Sequence, residues 1–310
     1  MEEWGLGPED LEKINSELIY TRISGYGQTG PYSKLPGFAS VCEAVGGFRY
    51  VNGFPDRPSV RPNLSMGDTM AGLQGVIGIL LALQARNGNK RGGVQSSGKG
   101  QVVDVAIYES VFSLLEGVVS EYDGANVTRG CSGSTLTGIV PSNLYRGSDG
   151  KDIIIGANGD SLYSRLLDAM GVPKEDELRT WDSNAKRVEN QDIIDAKIGE
   201  WVGMRSTEET LQILAKAKIP SGLIYSVEDM VTDPHYIARG QFEEVKIEEL
   251  DRDLKIPAIG PRLTSTPGST KHPGRSRPGQ DSKEVLQEWL GMTDADITDL
   301  INSKAVIQND

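Results

Sequence analysis

The sequence predicts an α/β protein built around a parallel sheet, and a few stretches carry that prediction. Leu18-Ile-Tyr-Thr-Arg-Ile23 is a compact β-rich strand that feeds a glycine-rich loop. Thr69 to Ala85 is an apolar run without a charged residue, in which Gly72, Gly75 and Gly78 recur every three positions. Gln101 to Ile107 is a second strand, followed at once by a helical pattern over Tyr108 to Tyr122. Strands alternating with helices in this way suit parallel strands joined by covering helices.

In chain order, a short helix ends over Asp10 to Ser16, the first strand follows, and Ser24 to Pro31 forms the loop. Residues 37–45 read as a short helix closed by Gly46-Gly47, and residues 69–87 as the long core helix. Asn87 to Gly100 is a Gly/Asn/Ser/Lys stretch expected to be a mobile loop. The strand and helix over 101–122 complete a large unit, placed at 1–123, and polar, glycine-rich residues 123–138 open a linker taken to run over 124–150. A small α/β domain is expected over 151–233. It comprises a strand at Asp152–Gly156, helices near 160–170 and 188–203, and a helix at 207–217 opened by the capping box Ser206…Glu209. Residues 234–310 form a return segment. They include a Pro/Gly/Ser/Arg linker at 261–280 and a terminal helix opened by Asp281…Glu284.

Composition removes several function classes. A net charge of −12 over 310 residues argues against nucleic acid or an anionic membrane as partner. Cys42 and Cys131 make neither a disulfide framework nor a metal spacing, and suit a reducing compartment. His235 and His272, both beside prolines, make a histidine triad or histidine metal site improbable, so no metal is expected and carboxylates must carry any covalent chemistry. The 69–85 run is at the short limit for a membrane span and is expected to be a buried core helix. The amino-terminal Met-Glu-Glu-Trp carries no targeting pattern, so a soluble protein of the cytoplasm or mitochondrial matrix is expected.

Asp68 stands out, in Ser65-Met-Gly-Asp-Thr69 directly ahead of the apolar run. A carboxylate there sits among unpaired helix N–H donors and the positive end of the helix dipole, and is expected to be partly buried and ionised. On local grounds it reads either as an N-cap or as a nucleophile. Gly25-Tyr-Gly-Gln-Thr-Gly30 matches the dinucleotide fingerprint, but Pro31 and Pro36 prevent the helix which that fingerprint needs. An NAD(P)-dependent oxidoreductase is therefore the weaker alternative. Gly93 to Lys99 imitates a phosphate-binding loop, yet Gly100 stands where Ser or Thr must hold magnesium.

Three blocks together resemble the family III CoA-transferases: Leu18 to Pro31, Gly67-Asp68 heading the glycine-spaced helix, and Gly98-Lys-Gly-Gln-Val-Val-Asp-Val-Ala-Ile-Tyr-Glu109. That family includes formyl-CoA and carnitine CoA-transferases and 2-methylacyl-CoA racemases. Gly138-Ile-Val-Pro141, Asp149-Gly150 and Ile153 to Gly156 resemble the start of its small domain, closest to the succinate/hydroxymethylglutarate CoA-transferases. The resemblance implies a partial Rossmann-like large domain with a small α/β domain, in an interlocked homodimer. It implies that Asp68 is the nucleophile, passing through mixed-anhydride and aspartyl-CoA intermediates, with acyl-CoA and a carboxylic acid as substrates and no other cofactor. It places Pro36, Gly37, Phe38 and Ala39, with Tyr26 and Gln28 of the glycine loop, along the CoA.

The racemase branch needs a histidine and an acid, and their positions fall on Phe38 and about Gly159, neither of which moves a proton. Transfer is therefore expected over racemisation. Taken alone, Phe38 also reads as a core aromatic. Arg22, Arg49, Arg57 and Arg61 are cations near the site that could meet a second carboxylate, or pair on the surface. Relatives carry further amino-terminal βαβ units that hold much of the CoA nucleotide, so an impaired fragment of such an enzyme is a second alternative.

Overall fold

The computed structural model describes residues 1–88, 92–93, 95–247, 250, 252–275 and 277–309. By its internal contacts the chain divides into two units, Met1–Ile224 and Tyr225–Asp310.

In the first unit α1 (Pro8–Ile14) precedes β1 (Tyr20–Ser24). Helices α2 (Ala39–Val45), α3 (Phe48–Val51) and α4 (Met66–Asn87) then lead to β2 (Val102–Ala106). The two strands pair in parallel, from Tyr20 opposite Val102 to Ser24 opposite Ala106. Parallel neighbours need a crossover, and α2 to α4 provide it. Helix α5 (Ile107–Phe112) starts directly from β2, and α6 (Val118–Ala125) follows. The single helix expected over 108–122 is thus broken, at a left-handed Glu116 (φ 50°) and Gly117.

Helix α4 lies on this two-stranded sheet through its glycines. A Cβ on Gly75 would meet Ile23 and Thr21 of β1 at 3.7 and 3.9 Å, and one on Gly78 would stand 2.5 Å from Val103 of β2. Gly72, the third member of the stripe, faces open space. Two strands cover only a narrow strip of a helix. Gly67, Ala71, Gly75 and Ala82 are buried, while Leu73, Val76, Ile77, Leu80 and Leu81 stay exposed. The expectation of a buried core helix is corrected accordingly. By length and composition alone, α4 is apolar enough to cross a membrane. Beyond its end, Ser97 N donates to Ala85 O (3.1 Å) and Gly98 N to Arg86 O (3.2 Å). Within the expected mobile loop, residues 89–91 and 94 lie outside the described residues.

The same unit contains an antiparallel sheet in the order β3 (Ser142–Arg146), β4 (Asp152–Gly156), β5 (Ser221–Leu223). It is covered by α7 (Asp160–Met170), α8 (Asn184–Glu189), α9 (Gln191–Gly203) and α10 (Thr207–Lys216). The helix expected over 188–203 is two helices meeting at Asn190. Ile153, Ile155, Leu166, Ile194, Ile198 and Val202 form the centre of the core. Ser206 caps α10 by accepting from Glu209 N at 3.2 Å.

The second unit contains α11 (Val227–Thr232), α12 (Pro234–Ala238), the antiparallel pair β6 (Phe242–Lys246) and β7 (Asp253–Pro257), and helices α13 (Ser282–Leu290) and α14 (Asp294–Asn302). Asp281 precedes α13 but places no side-chain cap on it. Its carboxylate accepts from Arg275 Nε instead, at 2.9 Å. A charge-assisted partner outcompetes a backbone amide there.

Candidate active site

The site assembles where β1 and β2 end, the edge at which open parallel sheets bind ligands. The chain leaving β1 turns at Ser24, whose Oγ accepts from Gly27 N (3.0 Å) and Gln28 Nε2 (3.2 Å). Gly27 takes φ +82°, a conformation that glycine adopts without strain. Asp104 of β2 then accepts from Gln28 N at 3.0 Å, and Tyr108 N donates to Gly25 O at 3.2 Å. The glycine loop is thereby tied to the second strand and to α5. Tyr26 packs edge-on to Tyr32 (5.8 Å) and tilted against Tyr108 (5.9 Å). After Pro31 no helix starts before Ala39, so the stretch lacks the feature a dinucleotide loop needs.

The head of α4 meets this loop from the other side. A Cβ on Gly67 would touch Ile107 at 3.0 Å and Ala39 at 3.2 Å, so the starts of α2, α4 and α5 lie against one another. Ser65 is the N-cap residue, which makes Asp68 the third residue of the helix and not its cap. Its carboxylate is exposed, not partly buried, and among the described residues no side chain bonds to it. Asp68 therefore stands free, in the first turn of a 22-residue helix.

Of the other expected contact residues, Tyr26, Gln28 and Gly37 are half-buried, Pro36 is exposed, and Ala39 is buried in the helix start. Phe38 is 83% exposed, which overturns its reading as a core aromatic. It precedes α2 as the N-cap residue and is not part of the packed strip around Cys42, Ala71, Val105 and Ile107. Gly159 is the N-cap of α7. The Cys42 thiol, under the same site, is pushed above its ordinary range, first by burial and then by the negative charge of Asp68. That keeps it protonated and unreactive at neutral pH.

The four arginines divide. Arg22 pairs with Glu2 at 2.7 Å and Arg57 with Asp56 at 3.7 Å, both exposed partners. Arg49 and Arg61 instead converge on Glu43, a fully buried carboxylate of α2, at 3.3 and 3.8 Å. Sequence reasoning passed over Glu43 and Asp104; both act across long separations and lack a local motif. An open cavity of about 260 Å³, lined by Arg61, Pro62, Asn63, Leu64 and Ser65, lies directly ahead of α4. Among the described residues no cluster of His, Cys, Asp and Glu is arranged to hold a metal.

Comparison with known proteins identifies the family. The chain is 39% identical over 308 residues to the succinyl-CoA–D-citramalate CoA-transferase of Chloroflexus aurantiacus, covering 99% of this chain and 74% of that protein. It is 35% identical over 307 residues to the alpha subunit of a succinyl-CoA–L-malate CoA-transferase from Chloroflexus aurantiacus, covering 99% and 69%. A solved CAIB/BAIF family protein from Brucella suis superposes with a TM-score of 0.64 at 29% identity, over 84% of this chain and 69% of that one. The sequence profile of CoA-transferase family III matches residues 1–282. A free aspartate at the head of a glycine-spaced helix, a glycine loop after a parallel strand and this extent of matching lead to one conclusion: the chain belongs to CoA-transferase family III, a family of enzymes.

Proposed function

We propose that the chain transfers CoA between succinyl-CoA and a second dicarboxylic acid, with Asp68 as the covalent relay. The observation that carries this reading is the free, exposed carboxylate of Asp68 in the first turn of α4, in a member of this family. Relatives named for succinyl-CoA with citramalate or malate support the dicarboxylate class.

In the proposed sequence an Asp68 oxygen attacks the thioester carbonyl, forms a mixed anhydride and expels CoA thiolate. The thiolate then attacks the aspartyl carbonyl, which gives aspartyl-CoA thioester and releases succinate. The acceptor carboxylate attacks this thioester, forming a new anhydride and again freeing the thiolate. Attack on the acceptor acyl carbonyl completes the acceptor thioester and returns Asp68 as a carboxylate. Each step exchanges one acyl bond for another, so neither oxidant nor metal enters the balance. The free N–H groups of the α4 first turn are suited to stabilise the oxyanions. Phe38 and Pro36, both exposed, with the half-buried Gly37 between them, offer the apolar surface along which CoA would lie. The enzyme is proposed to work as a homodimer, a reading supported by the apolar outer face of α4.

Mass spectrometry of succinyl-CoA exchange against a panel of acids tests the function. Asp68→Ala is expected to lose at least about 10³-fold in turnover, as removal of a covalent nucleophile does. Hydroxylamine should trap the acyl-aspartyl form in the wild type. An Asp68→Ala enzyme with undiminished turnover overturns the mechanism.

A further inference from the structure

Helix α4 starts without the usual capping side chain. Ser65 occupies the N-cap position but makes no side-chain hydrogen bond to the helix. The amide that a cap would serve belongs to Gly67, and its partner comes from another helix: Gly67 N donates to Glu43 Oε1 of α2 at 3.3 Å. Glu43 is 0% exposed, and a buried lone carboxylate is strongly disfavoured unless its charge is met. Its second oxygen meets that requirement, facing Arg49 Nη1 at 3.3 Å and Arg61 Nε at 3.8 Å. The two oxygens thus divide the work, one toward the backbone and one toward the cations. Arg49 comes from α3 and Arg61 from the segment leading into α4, so a single carboxylate of α2 joins both of them to the helix head.

Gly67 is held on its other side as well. A Cβ there would stand 3.0 Å from Ile107 and 3.2 Å from the Ala39 backbone, so its peptide has little room to shift. The next residue is Asp68, whose side chain makes no bond of its own among the described residues. Nothing attached to the Asp68 carboxylate orients it, so its placement depends on the peptide that carries it.

We infer that Glu43 is a positioning residue for Asp68. It fixes the Gly67 amide, and with it the first turn of α4, so that the carboxylate and the neighbouring free amides face the thioester in a constant geometry. Arg49 and Arg61 offset the Glu43 charge, which would otherwise oppose the anionic intermediates formed at Asp68, the residue after Gly67. The inference rests on the reading of Asp68 as nucleophile.

Glu43→Gln keeps an oxygen acceptor for Gly67 N, whereas Glu43→Ala and the near-isosteric Glu43→Met remove it. With saturating succinyl-CoA, Glu43→Ala and Glu43→Met should lose about 10- to 100-fold in kcat, the scale of a small misplacement of a reacting group. KM for succinyl-CoA should stay within about threefold, because uniform binding is untouched. Glu43→Gln should recover most of kcat. Amide hydrogen exchange read at Gly67 supplies a signal independent of turnover. Protection there is expected in the wild type and in Glu43→Gln, and should fall at least about tenfold in Glu43→Ala and Glu43→Met.

A wild-type Gly67 amide that exchanges as an unprotected one overturns the inference without any variant. So does equal loss in Glu43→Gln and Glu43→Met with kcat and KM moving together, which marks a general structural role. An inactive Asp68→Ala beside a fully active Glu43→Met overturns the positioning role alone. An active Asp68→Ala overturns the reading of Asp68 itself, and the role of Glu43 with it.

Discussion

Gly25 and Gly37 are in backbone contact. A methyl group on Gly25 would stand 2.8 Å from Gly37 Cα, and one on Gly37 would stand 3.0 Å from Gly25 Cα. The same point on Gly37 lies 3.1 Å from the Tyr26 ring and 3.2 Å from Cys42 Sγ. This contact closes the glycine loop onto the segment that precedes α2, and so brings Tyr26 and Phe38 to one site.

Gly25→Ala should therefore force two backbones apart. Overpacking of this kind costs about 1–3 kcal/mol, so a lower Tm and reduced transfer activity are expected. Gly124→Ala, within α6 and with open space around it, is the matched control. It should be neutral or stabilising, because alanine favours a helix over glycine by roughly 1 kcal/mol. Differential scanning calorimetry on both variants checks the contrast.

Arg187 should be the most sensitive charged residue of the antiparallel-sheet region. Its side chain is fully buried, donates to Val140 O (2.9 Å), Asn158 O (2.7 Å) and Asp160 (2.8 Å), and lies 4.9 Å from the Tyr163 ring centre. Arg187→Ala strands those carbonyl oxygens and should cost about 3 kcal/mol or more by urea denaturation. Arg187→Lys should restore little of it, since an ammonium cannot span the same partners.

Asp149 gives the pH dependence a definite sign. Its carboxylate accepts from Thr207 Oγ1 (2.8 Å) and Thr207 N (3.1 Å), and the hydroxyl bond is the largest cause holding its pKa below the ordinary 3.8. A depressed carboxylate stabilises the fold fully above its unfolded value, and that stabilisation disappears as pH falls through the folded one. The Tm advantage of wild type over Asp149→Asn should therefore be constant at neutral pH and shrink below about pH 4. An advantage that persists into stronger acid would exclude the ionised carboxylate as its source.

Static light scattering tests the proposed homodimer. Leu73, Val76, Ile77, Leu80 and Leu81 present a continuous apolar strip on α4. Burying such a strip is favourable by about 25 cal/mol per Å². A mass near twice 33.5 kDa is expected at micromolar protein. A monodisperse monomer would overturn the dimer, and Leu80→Glu should shift the mass toward monomer if the strip is the interface.

What could be read from the sequence was what its chemistry decides locally. Strands and helices with clear local signals lie within a residue or two of their expected places, as β4 at Asp152–Gly156 and α7 at Asp160–Met170 do. Ser206 caps as expected because its partner Glu209 N is three residues away in the same helix. Asp281 does not, because Arg275, absent from any capping pattern, reaches its carboxylate first. Asp68 was conspicuous by its place ahead of an apolar run, yet excluding it as the cap required knowing that the helix begins at Met66. Its exposure, like that of Phe38 and of the outer face of α4, depends on how few strands lie beneath them. Glu43 was invisible, since a glutamate inside a short helix looks like a solvated one until two arginines are found over it.

The Glu43–Gly67 bond spans 24 residues of chain, and this separation affects when the site can exist. An isolated peptide covering α4 would have no acceptor for its leading amides and would fray at that end. Glu43 can accept from Gly67 N only once α2 has docked, so the turn that carries Asp68 gains this bond only in the folded chain. A nascent or partly opened copy of the protein holds the same aspartate on a wandering chain, where it is no better than any carboxylate in solution. On the proposed reading of Asp68, competence to react with thioesters would then belong to the completed fold and not to a partly formed one.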